Sequence, residues 1–397
     1  MKIFSVLDDM KNWWASLLAV LFVISCGKQE PTLQPTPPSN EEDNIFCLDN
    51  PVVASYLKFL DIIPYDDNDY TYSYIDDYYA MTTSYRKDYP LPAKVKWEKA
   101  AGGGTQHIFV AENPEFENAL VLSLSGSAIS YDIYNLIPGR NYWWKVTDLS
   151  DETVVGSGSF RTTGHRRFLK IDNICNVRDL GGIPAADGKK HIKYGLLFRG
   201  GEMNGYHQDY DDLYCRISAS GKTAMKKLGV AADLDMRTAE EAVNITASPL
   251  GDEIDYIRFE KANDYYYDKF WGTDEYILAF KWAINELKLG KPVFFHCIYG
   301  ADRTGTLAFL MEALLGVNEN HLAIDYELTS FSYGLSSPPR RRGPKNELSV
   351  YRYRQMVAGV KSYAFTGATL QERIYNFLSK GIPAADLDWF IENLLEE

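Results

Sequence analysis

Hydrophobic and polar positions divide the chain into four stretches. Residues 13–25, WWASLLAVLFVIS, form one unbroken apolar run, shorter than a bilayer-spanning helix and matching the core of a secretory leader. Residues 27–44, GKQEPTLQPTPPSNEEDN, carry almost no apolar side chain and read as a solvated tether. From about residue 92 the period becomes two. Val95/Trp97, Ile108/Val110, Ile133 and Tyr142/Trp144/Val146 alternate with polar neighbours, and turn residues stand between them at 102–104, 113–114 and 138–140. This pattern predicts short, half-buried strands in a small sandwich. Residues 51–61 predict a short helix, and the tyrosine-rich stretch 65–79 fits no pattern.

The last stretch changes character. Residues 292–295 form an apolar run of buried-strand type, and Gly300 and Gly305 permit a tight loop. Apolar Leu307, Leu310, Met311, Leu314 and Leu315 then recur at helical spacing. Strand, loop and helix in that order aim backbone N–H groups and a helix dipole at one spot. Cys297 stands at the strand end and Arg303 at the helix start, in KPVFFHCIYGADRTGT. A thiolate at a helix N-terminus is ionised more readily and is a better-available nucleophile. A guanidinium opposite it can grip two oxygens of a tetrahedral oxyanion. A phosphate monoester suits both groups. The closing DLDWFIENLLEE predicts an amphipathic helix.

Composition narrows the choices. The 397 residues and 46% hydrophobic content are enough for two or three domains without disulfide or metal staples. Net charge is −13, with 41 Lys+Arg against 54 Asp+Glu, which disfavours a nucleic-acid partner. Five cysteines and six histidines show no zinc spacing, so neither metal nor cofactor is expected.

Three resemblances follow from these residues. Ser25-Cys26-Gly27 after the apolar run resembles a bacterial lipobox. It implies cleavage before Cys26, diacylation of its thiol, and an extracytoplasmic protein tethered to a bacterial membrane by lipid. LIPGRNYWWKV (136–146) followed by SFRTT (159–163) resembles the last strands of a fibronectin type III domain, implying a sandwich over about 90–163.

HCIYGADRTG resembles the signature loop of the cysteine-dependent protein tyrosine phosphatase superfamily, in particular its bacterial tyrosine/lipid branch. NVRDLGG (176–182), GLLFRGGEM (195–203), ADLDMRTAEE (232–241) and DYELT (325–329) resemble further blocks of that branch. The expected plan is a leader over 1–25, a tether over 26–44, a β-rich module over 45–163 and a catalytic α/β domain over 164–397. That domain would hold a central mixed or parallel sheet flanked by helices.

The resemblance implies a metal-independent phosphomonoesterase, in the first place a protein tyrosine or dual-specificity phosphatase acting on a phosphorylated protein, with an inositol-polyphosphate or phosphoinositide phosphatase of the same mechanism as the alternative. Cys297 would be the nucleophile that becomes phosphocysteine. Arg303 and the N–H groups of Ile298, Tyr299, Gly300, Ala301, Asp302 and Arg303 would bind the phosphoryl oxygens, with Thr304 easing departure of the sulfur. Asp302 would protonate the leaving oxygen, with Asp264 and Asp268 as rivals. His296 would lie behind the loop, and Arg178, Asp179, Asp235 and Arg237 would form one ion-pair network there. Ala301 replaces the branch's lysine, which removes a cation from the phosphate site.

Gly181 and Gly182 predict a turn with positive φ. Basic SSPPRRRGPK (336–345) could recruit a second anionic group or be a solvated loop, and Cys175 or Cys215 could protect Cys297 as a disulfide. Two other readings stay open: a catalytically dead phosphate-binding lipoprotein, and rhodanese-like or arsenate-reductase-like thiol chemistry.

Overall fold

The computed structural model describes residues 44–62, 89–99, 103–150, 153–205, 216–263, 269–332, 356–361 and 365–397. The leader, Cys26, the tether up to residue 43, the tyrosine-rich stretch, Cys215, Asp264, Asp268 and the basic run 336–345 lie outside them.

Alternation builds the first region. Strand β1 (Ile45–Cys47) precedes helix α1 (Pro51–Ile62), and six strands follow: β2 (Ala93–Lys96), β3 (Gln106–Ala111), β4 (Leu120–Leu124), β5 (Ser130–Ile133), β6 (Asn141–Asp148) and β7 (Val154–Thr163). Along β2, Ala93 and Val95 are buried and Lys94 and Lys96 exposed; along β6, Tyr142, Trp144 and Val146 point inward. One sheet runs β1-β7-β6-β3-β4 and the other is the β2-β5 pair. Val95 and Ile133 from the pair share one core with Ile108, Trp144, Val146 and Phe160 from the larger sheet. Two strands go unseen in the periodicity. β1 spans three residues and pairs parallel with β7, and β4 reads LVLSL without clean alternation.

The second region has strands β8 (Arg178–Asp179), β9 (His191–Ile192), β10 (Leu197–Gly200), β11 (Ala232–Asp235), β12 (Asp255–Arg258), β13 (Val293–His296) and β14 (Leu395–Glu396). Its helices are α2 (Ala219–Lys227), α3 (Glu275–Lys288), α4 (Asp302–Leu314), α5 (Glu319–Leu328), α6 (Leu370–Leu378) and α7 (Ala384–Asn393). The main sheet runs β12-β11-β13-β10-β8; β12, β11, β13 and β10 are mutually parallel and only β8 is antiparallel.

Every residue of β10, β11 and β13 is buried, as strands covered on both faces require. Leu197, Leu234 and Phe295 pack into the core that α3, α4, α6 and α7 share. Phe198 and Phe294 pack on the opposite face with Met225 of α2. Gly200 of β10 and Asp235 of β11 both pair with His296, so three strands end level at their carboxyl ends. A crevice at that level is where open α/β sheets place ligands.

The described residues all belong to one compact unit. Arg167 ties its two regions together. The Arg167 guanidinium donates to Leu136 O at 3.3 Å, Asn135 O at 2.8 Å and Asp179 Oδ2 at 2.7 Å. Helix α1 packs Val53, Tyr56 and Leu57 against Ile324 and Leu328 of α5, and Tyr56 Oη donates to Glu327.

The glycine turn differs from expectation. Gly182 has φ +81°, but Gly181 does not adopt positive φ; a Cβ there would lie 2.4 Å from Tyr194 Cα. Close packing, not conformational freedom, requires Gly181.

Candidate active site

Strand β13 delivers His296 to its carboxyl end, and Cys297 follows directly, 3% exposed. The chain turns through residues 298–301 and enters α4 at Asp302. No side chain caps the first turn of α4, so its orphan N–H groups remain for an anion. Gly300 makes the turn possible for two reasons. Its φ is +66°, and a Cβ would fall 2.3 Å from Gly200 O on β10.

Burial alone would push the Cys297 thiol up. The Arg303 guanidinium, with the hydroxyl and backbone N–H of Thr304, outweighs burial, while Asp302 opposes them; the net effect holds the thiol below its ordinary value. The buried Thr304 hydroxyl makes no hydrogen bond to nitrogen or oxygen among the described residues, which leaves it for the sulfur. Cys297 and Cys175 are both buried free thiols.

Arg303 is fixed by three hydrogen bonds to two partners. Its Nη1 donates to Met236 O at 2.9 Å and to Glu241 Oε2 at 2.5 Å, and its Nη2 to Glu241 Oε1 at 3.0 Å. Burial would lower the guanidinium pKa, but Cys297 and Glu241 raise it overall. Glu241 is itself steadied by the Thr238 N–H at 2.8 Å. Its carboxyl is pushed up by burial and down further by Arg303, so it stays ionised. Asp302, at the first position of α4, accepts from Tyr326 Oη at 3.3 Å.

The expected single network behind the loop is in fact three. Arg178 pairs with Asp325, not with Asp179 (Nε to Oδ1, 2.7 Å). Asp179 pairs with Arg167 at 2.7 Å. Arg237 binds Asp235 at 2.7 Å and Glu202 at 3.0 Å. Two features separate them: Arg178 and Asp179 are successive residues of β8 and so face opposite sides of the sheet, and β10 and β13 stand between β8 and β11. His296 is buried, with Nε2 3.1 Å from Asp233 Oδ1 and Nδ1 4.0 Å from Asp235 Oδ1. Burial lowers its pKa, but the two carboxylates raise it overall.

Four contributors escaped the sequence reading. Glu241 sits in ADLDMRTAEE, Arg199 in GLLFRGGEM, Asn176 in NVRDLGG and Asp325 in DYELT, so each block was visible but the partner choice was not. Arg199 Nη1 donates to Asp325 Oδ2 at 2.5 Å and Nη2 to Gly300 O at 2.8 Å. Among the described residues, no group of three or more His, Cys, Asp or Glu could hold a metal ion. The arrangement can ionise a thiol, surround a tetrahedral dianion with N–H donors and a fixed guanidinium, and present a carboxyl at the rim.

Sequence comparison agrees with that chemistry. The sequence model of a family described as "Tyrosine phosphatase family" matches residues 169–376. A candidate tyrosine-protein phosphatase of Cupriavidus necator is 26% identical over 182 residues. The match covers 41% of this chain and 62% of that relative's length. The crystal structure of P. aeruginosa TpbA aligns at 15% identity with a TM-score of 0.26, over 43% of this chain and 89% of that one, a likeness too low to carry an argument.

Proposed function

Because the chain belongs to the tyrosine phosphatase family, we propose that it hydrolyses phosphomonoesters through a phosphocysteine intermediate, with phosphotyrosine in proteins as its substrate. The observation that carries this reading is the Cys297–Arg303 pair: a thiol whose pKa is lowered by the guanidinium and by Thr304, at the uncapped start of α4.

In the first step the Cys297 Sγ lone pair forms the S–P bond as the P–O bond to the leaving group breaks. The Asp302 carboxyl gives its proton to the departing oxygen. Arg303 and the loop N–H groups of 298–303 hold the equatorial oxygens, where charge builds. In the second step a water attacks phosphorus, Asp302 takes a proton from it, and the S–P electrons return to Cys297 beside Thr304. Charge stabilisation comes from Arg303 and the backbone, so the chemistry needs no metal.

The composition of the rim supports a substrate with one phosphate. Ala301 puts no cation next to the loop, and Arg303 is already shared with Glu241. Among the described residues, a polyanionic inositol phosphate would meet the Glu241 and Asp302 carboxylates beside the loop.

We further propose that the strand region is a fibronectin type III-like spacer, supported by its two-sheet packing and the 136–146 motif. Cys26 carries the lipid that tethers the enzyme outside the cytoplasm, supported by the apolar run 13–25 and the polar tether after it.

The deciding assay is phosphate release by the full chain in detergent and EDTA. Its substrates are a phosphotyrosine peptide, a phosphoserine peptide and inositol hexakisphosphate. Turnover should be greatest on the first and fall about 10⁴-fold or more in Cys297→Ser. Turnover that survives Cys297→Ser, or none in the wild type under reducing conditions, would overturn the reading.

A further inference from the structure

A phosphate cradle works only if its peptide planes face the right way. C=O and N–H point oppositely across a planar trans peptide, so holding a carbonyl outward turns the next residue's N–H inward. In this chain three successive loop carbonyls are caught from behind. Ile298 O accepts from Glu202 N at 3.0 Å. Tyr299 O accepts from Asn176 Nδ2 at 3.1 Å. Gly300 O accepts from Asn176 Nδ2 at 2.9 Å and from Arg199 Nη2 at 2.8 Å. The N–H groups so directed belong to Tyr299, Gly300 and Ala301.

The two side chains that hold these carbonyls are themselves held. Asn176 takes the left-handed conformation, φ +58°, which Asn tolerates better than most residues. Its Oδ1 accepts from Arg178 Nη1, which fixes which end of the amide donates. The amide donates a further bond to Thr329 Oγ1 at 3.2 Å. Asp325 then bridges the pair of arginines, Oδ1 to Arg178 at 2.7 Å and Oδ2 to Arg199 at 2.5 Å. All four side chains are 2% exposed or less, so no water competes for the carbonyls.

We propose that Asn176 and Arg199 are positioning residues: they clamp the carbonyls of Tyr299 and Gly300 and so aim the loop N–H groups at the phosphoryl oxygens, with Arg178 and Asp325 setting the clamp. The inference rests on the phosphocysteine reading above and deepens it. It assigns the NVRDLGG block a task, since that block brings Asn176 and Arg178 to the back of the loop, whereas Asp179 serves the inter-region contact.

The test measures Cys297 directly, so it does not depend on turnover. In the full chain, the rate of alkylation at Cys297 is followed by mass spectrometry against pH and against inorganic phosphate, beside kcat and KM on a phosphotyrosine peptide. Asn176→Asp keeps the shape and the backbone preference but removes the donors. Asn176→Gly keeps the left-handed backbone and removes the side chain, and Arg199→Lys keeps the charge and loses the fork. Leu250→Ala, in the core on the α2 face of the sheet, is the control for lost stability alone.

The expected result in the Asn176 variants is a kcat fall of about 10²-fold. Phosphate protection should weaken about tenfold, and the thiol pKa should rise by about one unit. Arg199→Lys should show the same changes in smaller degree, and Leu250→Ala none of them. Asn176 variants within twofold of wild type in all three readouts, or the same changes in Leu250→Ala, would overturn the clamp. A wild type with phosphate-protected, low-pKa Cys297 but no turnover would instead overturn the phosphatase reading and leave the clamp measurable.

Discussion

The two regions of the described chain bury their interiors by different rules. In the strand region the core is mainly apolar, with Val95, Ile108, Ile133, Trp144, Val146 and Phe160 inside, lysines such as Lys94 and Lys96 outside, and Gln106, Asp148 and Thr162 among the buried polar exceptions. In the α/β region the sheet is dry on both faces and yet encloses charge: Arg178, Arg199, Arg237, Asp233 and Asp235 are all 1% exposed or less. Burying charges costs free energy unless each is paired and hydrogen-bonded. The α/β region carries that cost repeatedly in paired side chains, whereas the strand region carries it at Asp148, 1% exposed, whose Oδ1 accepts from the Ser150 N–H at 2.9 Å and hydroxyl at 2.7 Å.

Substitutions can break this contrast. The largest expected effect is Cys297→Ser, a loss of about 10⁴-fold or more in turnover with little change in melting temperature. A comparable loss of stability would mean that the thiol serves the core rather than the chemistry.

Next comes Asp325→Ala, which leaves Arg178 and Arg199 buried without their carboxylate. It should cost about 3–5 kcal/mol in denaturant unfolding and also lower kcat through the clamp. Ile108→Ala, in the apolar core, should cost about 2–5 kcal/mol while kcat per folded molecule stays at the wild-type value. Equal losses of kcat in the two variants would erase the distinction between the regions.

The smallest effect sharpens the comparison by pH. Burial and the nearby Asp325 hold the Glu312 carboxyl well above its ordinary range, whereas Arg178 and Arg199 hold Asp325 well below its own, against burial. The signs are opposite. A raised carboxyl pKa favours the folded state below the ordinary glutamate range and withdraws that stability as pH climbs toward the folded value. A depressed one gives stability above the ordinary aspartate range that is lost as pH falls through the folded value. Glu312→Gln, neutral at every pH, should hold or raise stability at neutral pH by about 1 kcal/mol and flatten its decline from pH 5 upward. A Glu312→Gln protein that is markedly less stable at pH 7 would show that Glu312 is ionised there.

Much of the site lay open in local patterns. Cys297, Arg303, Asp302 and Thr304 stand within eight residues, and strand, loop and helix follow from the hydrophobic spacing around them. The helix begins at Asp302, one residue before the Arg303 start that the sequence predicts, and its buried first turn carries the polar residues of the site. The partners of these residues were not legible. Glu241 reaches Arg303 across 62 residues and Asp325 reaches Arg199 across 126. Short-range patterns carry no information about which arginine meets which carboxylate.

The sequence by itself determined the alternation that makes the strand sandwich, the apolar strand that presents Cys297, and the spacing that sets Arg303 at the start of a helix. Each is a local property, fixed by side-chain period and backbone preference over a few residues. Only the tertiary structure decided that Gly181 is small because Tyr194 lies against it, and that Arg178 answers Asp325 rather than Asp179. The same holds for Asn176 and Arg199, which meet behind the loop. Those outcomes depend on contacts between distant segments: the alternation of side chains across β8 sends Arg178 and Asp179 to opposite faces, and the order β12-β11-β13-β10-β8 sets which distant charges are buried near one another.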